Sequence, residues 1–144
     1  MPGILVGVDG SHGSPQVLKW ALRQAALEHA PVTVLTVHPV IKSAWTGGPV
    51  VTELDKAEER KALQAAEEAT EKAVQELDAG LGKVEVTVRA ISGWPAHALI
   101  EASRDADLVV VGSRGGGGFA GLLTGSVTTQ VVNHATCAVV VVRH

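Results

Sequence analysis

Short apolar segments alternate with amphipathic segments along the whole chain. Five apolar segments have the length of buried strands, and they occupy residues 3–8, 32–37, 84–90, 107–111 and 138–142. Between them, apolar residues recur at helical spacing, as Leu18, Ala21, Leu22 and Ala25 do in the first helical segment. Strands that alternate with helices in this way indicate a parallel α/β sheet joined by right-handed crossovers.

The segments between the strands predict four helices. They are expected over 14–30, over 52–79, from Trp94-Pro95 onward and after Gly125. The last helix should turn Val127, Val131 and Val132 towards the core. Residues 40–51 match neither the helical nor the strand period, and their Gly47-Gly48-Pro49 predicts a loop whose role is left open.

Composition predicts one domain over residues 1–144, because 144 residues with 46% apolar content suit a single core. The net charge is −3 and the basic residues are scattered, which argues against a nucleic-acid-binding face. No apolar run approaches the roughly 18 residues of a membrane span, and no signal peptide is evident, so we expect a cytoplasmic protein. The single cysteine, Cys137, should be a small apolar filler before the last strand.

The fold sets where a ligand should bind. We expect a five-stranded parallel sheet of order 3-2-1-4-5 with helices on both faces. In such a sheet the chain order reverses between the first and fourth strands, and ligands bind at the carboxyl ends of the strands there. Asp9-Gly10-Ser11 follows the first strand and Gly112-Ser113-Arg114 follows the fourth. We therefore expect these loops to lie side by side. Asp9 has a second interpretation, as a turn former that accepts backbone N–H bonds.

The glycine cluster after the fourth strand indicates an anion site. Gly112, Gly115, Gly125 and Ser126 follow the spacing Gly-x2-Gly-x9-Gly-Ser, with a strand before them and a helix after them. Residues without a Cβ let backbone amides approach a bulky anion, and the amino end of the helix adds unpaired N–H groups. Arg114 can add a full charge. The loop lacks the lysine of a Walker A motif, and the alternative is a flexible turn that binds nothing.

Together these features resemble the universal stress protein family. The resemblance covers nearly the whole chain: ILVGVDGS near the amino end, the block from VVVGSRG to GSV, and the terminal CAVVVVR. It implies a Rossmann-like fold related to the adenine nucleotide alpha hydrolases, and binding of ATP, ADP or AMP with Mg²⁺. One departure is Ala138, where family members often have proline after the residue that matches Cys137.

The resemblance also assigns roles by position. It implies that Asp9 contacts the ribose or the phosphate and metal region, with Gly10 and Ser11 beside it, and that the backbone at Val37 contacts adenine. The phosphates would be lined by Gly112, Arg114, Gly115, Gly125, Ser126 and Val127. No metal ligand and no catalytic residue is assigned.

The leading function is a nucleotide-dependent regulatory or stress-response switch with an unidentified protein partner and at most weak ATP hydrolysis, because no base with a positioned partner stands out. Homodimerisation is expected through residues Ala138–Val142, an apolar run at a sheet edge that pairing with a second copy would cover. One alternative is a nucleotide-free homodimeric interaction protein of the same fold. Another is an enzyme or phospho-receiver of similar architecture, for which the sequence lacks the paired acids.

Overall fold

The chain forms a five-stranded parallel sheet with strand order β3-β2-β1-β4-β5. The computed structural model describes residues 3–9, 14–40, 52–77, 84–113 and 126–143. Strands and helices alternate in the order β1 (Ile4–Val8), α1 (Ser14–Glu28), β2 (Val32–Pro39), α2 (Glu53–Leu77), β3 (Val86–Gly93), α3 (Pro95–Ala102), β4 (Leu108–Gly112), α4 (Ser126–His134) and β5 (Ala138–Val142). The predicted fold class and strand order are confirmed.

The central strands are buried on both faces because helices cover both sides of the sheet. Successive residues of β1 point to opposite faces, so Ile4 and Val6 belong to one apolar cluster and Leu5 belongs to the other. The first cluster contains the buried face of α1 and part of α2, and the second contains Leu99 of α3 and Val131 of α4. The sheet therefore separates two cores, and its carboxyl edge is left between the helix layers.

Two strand ends differ from the sequence prediction. The strand β2 continues through His38 to Pro39 instead of ending at residue 37, because its pairing with β3 extends to Pro39↔Gly93. For the same reason β3 covers Val86–Gly93 and is shifted towards the carboxyl end relative to the predicted 84–90. The edge position predicted for β3 is confirmed.

Residue Val132 on α4 corrects the predicted helix face. Its side chain is 49% exposed, whereas Val131 and Thr128 are buried. These two residues lie three positions apart on one face of the helix, and Val132 is turned about 100° past Val131. A short helix over a sheet buries one narrow stripe, so the valine at 132 is left partly in solvent.

The helix α1 ends in a left-handed residue. His29 has φ 54°, and the Ala30 amide donates to the Ala25 carbonyl at 3.0 Å, which closes the helix. The chain then turns at Pro31 into β2, and the Pro31 carbonyl accepts the Ile4 amide at 2.9 Å. This turn sets the start of the two strands β1 and β2.

Cys137 is partly buried and packs against the second apolar cluster. Burial raises the pKa of its thiol, and the Asp107 carboxylate raises it further. The thiol is therefore less ionised than a free cysteine, which agrees with a packing role.

None of the helices in the described part of the chain is long and apolar enough to cross a membrane.

Candidate functional site

The two central strands separate at the carboxyl edge of the sheet. The pairing of β1 with β4 ends at Val6↔Val110, whereas the outer pairs continue to Pro39↔Gly93 and Gly112↔Val142. Beyond Val6 the strands β1 and β4 are no longer neighbours in the ladder. The ladder thus stops short of the ends of both strands where the strand order reverses, the position at which open α/β sheets bind ligands. We call this end of β1 and β4 the crevice.

One side of this crevice ends in a carboxylate. Asp9 directly follows the last residue of β1, and its side chain is exposed. It lies three residues beyond Val6, the last residue of β1 that pairs with β4. The predicted neighbours Gly10 and Ser11 lie outside the described residues.

The other side of the crevice is formed by the end of β4. Gly112 is the last residue of the strand, and the next residue, Ser113, is 4% exposed and donates its amide to the Val142 carbonyl at 2.9 Å. This bond keeps the chain beside β5 for one residue past the strand. The predicted phosphate residues Arg114, Gly115 and Gly125 lie outside the described residues.

The helix α4 begins over the end of β4. Its first residue, Ser126, is exposed, and Val127 is partly buried. The hydroxyl of Thr128 donates a 2.6 Å hydrogen bond to the Gly112 carbonyl. This contact holds the first turn of α4 at the carboxyl edge, where the amide groups of a helix start and its dipole favour an anion.

The end of β2 is the third part of the site. The pairing of β2 with β1 ends at Val8↔Thr36, so Val37 is the first residue of β2 beyond that ladder, although its pairing with β3 continues. Val37, Asp9, Gly112 and the start of α4 therefore share one edge of the sheet. Of the ten residues that the sequence assigns to the site, the five described ones all lie at this edge.

Sequence reasoning missed a polar cluster beside Val37. His38 Nε2 lies 2.9 Å from Asp55 Oδ1, and the two side chains are 23% and 20% exposed. Asp55 Oδ2 accepts 2.9 Å bonds from both the amide and the hydroxyl of Thr52, whose Oγ1 accepts the Asp55 amide at 3.1 Å. The spacing Thr52-x-x-Asp55 at a helix start is the signal that could have found this capping box.

The capping box has an electrostatic consequence. The pKa of Asp55 is lowered, first by the hydrogen bond from the Thr52 amide, then by those from His38 and from the Thr52 hydroxyl. Each of these bonds favours the carboxylate over the neutral acid. The negative charge at the start of α2 also suits the helix dipole.

A second contact ties α2 to the neighbouring strand. Ser92 Oγ donates a 2.7 Å hydrogen bond to Glu59 Oε2, and Ser92 is the partner of His38 in the β2–β3 register. Glu59 lies four residues after Asp55, which places both acids on the same side of α2. At the next position the Val40 amide donates to the Gly93 carbonyl at 3.1 Å. The helix α2 is thus joined to two adjacent strand ends.

Among the residues that the structure describes, no group of three or more His, Cys, Asp and Glu side chains is arranged to hold a metal ion.

Comparison with known proteins identifies relatives over nearly the whole chain. Residues 2–143 match the model of the universal stress protein family. A curated universal stress protein of Mycolicibacterium smegmatis is 38% identical over 142 residues, which are 98% of this chain and 48% of that protein. The chain spans about half the length of the curated relatives that it matches.

Solved structures give the same fold. The universal stress protein UspA from Lactobacillus plantarum matches with a TM-score of 0.69 and 25% identity, over 99% of this chain and 97% of that one. A universal stress protein in complex with cAMP matches with a TM-score of 0.67 and 27% identity, over 99% of this chain and 96% of that one.

Proposed function

The chain belongs to the universal stress protein family, and from this premise we propose that it binds an adenine nucleotide and acts as a nucleotide-dependent regulatory switch. The observation that carries the proposal is the separation of β1 from β4 after Val6↔Val110, with a carboxylate on one side and a helix start on the other. Such a crevice offers both an anion site and a polar group for the sugar or a cation.

The phosphates would bind at the end of β4 and the start of α4. Gly112 has no side chain to exclude them, and the Thr128 bond to its carbonyl keeps the α4 start nearby. Ser126 and Val127 would contribute the amides of the first turn. From the sequence we assign Arg114, Gly115 and Gly125 to the same phosphates.

Asp9 would face the ribose or a cation bound to the phosphates, with Gly10 and Ser11 beside it. Mg²⁺ suits this position because it is commonly bound by one or two carboxylates and by substrate phosphates. Its chemistry there would be to neutralise the phosphate charge. The chain's own residues would orient the nucleotide, and we assign none of them to hydrolysis.

The base would lie against the backbone at Val37, the first residue of β2 beyond the ladder with β1. A backbone amide and carbonyl can pair with the edge of adenine in the way that strands pair with each other. The relative described in complex with cAMP supports an adenine nucleotide as the class of ligand. Among these nucleotides we propose ATP, with ADP and AMP as competitors.

The switch would act through a second copy of the chain and a protein partner in the cytoplasm. The edge strand β5 is partly exposed, and its valines alternate between the two apolar clusters. Pairing of Ala138–Val142 with a second copy would cover this edge. The strand β5 lies directly beside β4, which precedes the proposed phosphate loop. Nucleotide binding and dimerisation would therefore be coupled through this pair of strands.

Isothermal titration with ATP and Mg²⁺ tests the proposal. The wild-type chain should release or absorb heat with a saturating 1:1 isotherm. Gly115→Ala adds a methyl group where backbone must meet phosphate and should weaken binding by about tenfold, or about 1.4 kcal/mol. Gly93→Ala is the control, because a Cβ at Gly93 would meet no atom within 4 Å.

A nucleotide-free homodimeric interaction protein is the second candidate, and the partly exposed edge strand β5 favours it. It predicts no heat on titration with ATP and a dimer by ultracentrifugation. A chain that dimerises but does not bind ATP would favour this second function over the nucleotide-dependent switch. Mass spectrometry of any small molecule released from the purified protein on denaturation gives an independent result.

A further inference from the structure

We propose that His38 is a positioning residue for the base-binding end of β2, an inference that rests on the nucleotide site proposed above. His38 directly follows Val37, whose backbone is assigned to adenine. Its ring does not need to touch the nucleotide. It holds the end of β2 in place by bonding to Asp55 at 2.9 Å.

The end of β2 needs such support because it is paired on one side only in the described ladders. Its register with β1 stops at Val8↔Thr36, and the residues from Val37 to Pro39 pair with β3 alone. A strand end held from one side can shift or fray more easily than one held from both. A backbone recognition surface loses affinity when it must be ordered by the ligand, because that ordering costs free energy.

Asp55 is a rigid partner for His38. Its second carboxylate oxygen accepts two bonds from Thr52, and its amide returns a bond to the Thr52 hydroxyl. These contacts fix the Asp55 side chain on the first turn of α2. The 25 residues of α2 then act as the fixed body to which the strand end is tied.

The hydrogen bond between Ser92 and Glu59 provides an internal control for the bond between His38 and Asp55. Ser92 Oγ lies 2.7 Å from Glu59 Oε2, and this bond ties the same helix to the end of β3. Ser92 is the residue that pairs with His38 in the β2–β3 register. The two bonds have the same kind of chemistry, a polar side chain from a strand end bonded to an acid of α2. Ser92 is one strand further from the crevice, so its loss should loosen α2 without moving Val37.

The test compares binding of ATP with binding of inorganic tripolyphosphate by isothermal titration. His38→Ala should weaken ATP binding by about tenfold and leave tripolyphosphate binding unchanged, because the phosphates are held at β4 and α4. Ser92→Ala should change neither affinity. A role in stability alone would leave the ratio of the two affinities at its wild-type value.

Two conservative variants separate the hydrogen bond from the ring. The side-chain amide of His38→Gln can place a nitrogen near the position of Nε2 and should retain most of the ATP affinity. His38→Asn is one methylene shorter, cannot reach Asp55, and should behave like His38→Ala. The comparison of His38→Gln with His38→Asn also tests the positioning role if His38→Ala does not fold.

The outcomes are distinct from those of the proposed function. A wild-type chain that binds neither ligand overturns the nucleotide site and this inference together. A wild type that binds ATP, with His38→Ala and His38→Asn unaffected, overturns this inference alone. Equal losses for ATP and tripolyphosphate also overturn it, since they would show a general structural role for His38.

Discussion

The hydroxyl of Thr128 on α4 donates a 2.6 Å hydrogen bond to the carbonyl oxygen of Gly112, the last residue of β4. The two residues are 16 positions apart in the chain, and the predicted phosphate loop lies between them. Thr128 is 4% exposed and Gly112 is partly exposed, so the bond is partly buried. This contact joins the last residue of β4 directly to the first turn of α4.

Thr128→Val tests the strength of that contact. The substitution keeps the shape of the side chain but removes the hydroxyl that donates to the Gly112 carbonyl, which should reduce the free energy of unfolding by about 1 kcal/mol. Urea unfolding followed by circular dichroism measures the change. Thr128→Ser keeps the hydroxyl and should lose less, and a valine variant as stable as wild type would contradict the assignment.

The substitution Gly7→Ala tests how closely Leu99 of α3 packs against β1. A Cβ on Gly7 would lie 3.0 Å from both terminal carbons of Leu99 and 3.4 Å from Val111 Cγ1. Gly7→Ala should therefore destabilise the fold by about 1 kcal/mol, at the lower end of overpacking because the end of the leucine side chain can move.

A double-mutant cycle checks the cause of that loss. In a Leu99→Ala background the space is free, so adding Gly7→Ala should cost little or should recover stability. Gly93→Ala is again the matched control, with no atom within 4 Å of the added carbon. Additive losses in the cycle would show that Leu99 is not what the new methyl group meets.

The capping box at Asp55 predicts a dependence of stability on pH. The pKa of Asp55 is lowered in the folded chain, first by the Thr52 amide and then by His38, whereas the unfolded value is about 3.9. The unfolded chain therefore binds the proton more readily. The stabilisation is present above about pH 4 and is lost as the pH falls through the folded pKa.

Asp55→Asn provides the measurement, because an amide does not titrate and has one acceptor oxygen in place of two. The difference in urea midpoint between wild type and Asp55→Asn should be present above about pH 4 and should shrink as the pH falls below that value. A difference that stays constant down to pH 3 would show that ionisation of Asp55 does not stabilise the fold.

Much of the architecture could be predicted from local pattern. The stripe Leu18, Ala21, Leu22 and Ala25 is buried as expected, because helical spacing of apolar residues decides which face a helix turns to a sheet. The strand order was also predicted correctly, since right-handed crossovers leave few topologies for alternating strands and helices. The ends of β1 and β4, with Asp9 and Gly112, could be placed at one edge for the same reason.

Side-chain partners far apart in the chain could not be predicted in this way. His38 and Asp55 are 17 positions apart, and Ser92 and Glu59 are 33 apart. Their contacts depend on how α2 lies across β2 and β3, which no local spacing encodes. The sequence pattern ended β2 at residue 37 and gave His38 no role, whereas the structure places His38 in the strand and against an acid.

By itself, the sequence determined the alternation of strands and helices and the two-sided burial of the central strands, and it predicted an edge at which a ligand would bind. These follow from short-range rules, because hydrophobic period, glycine and helix caps act over a few residues. Only the tertiary structure decided where β1 and β4 separate, where β2 ends and which polar groups hold α2 and α4 at that edge. These depend on register and helix packing, which are set by the balance of contacts over the whole core.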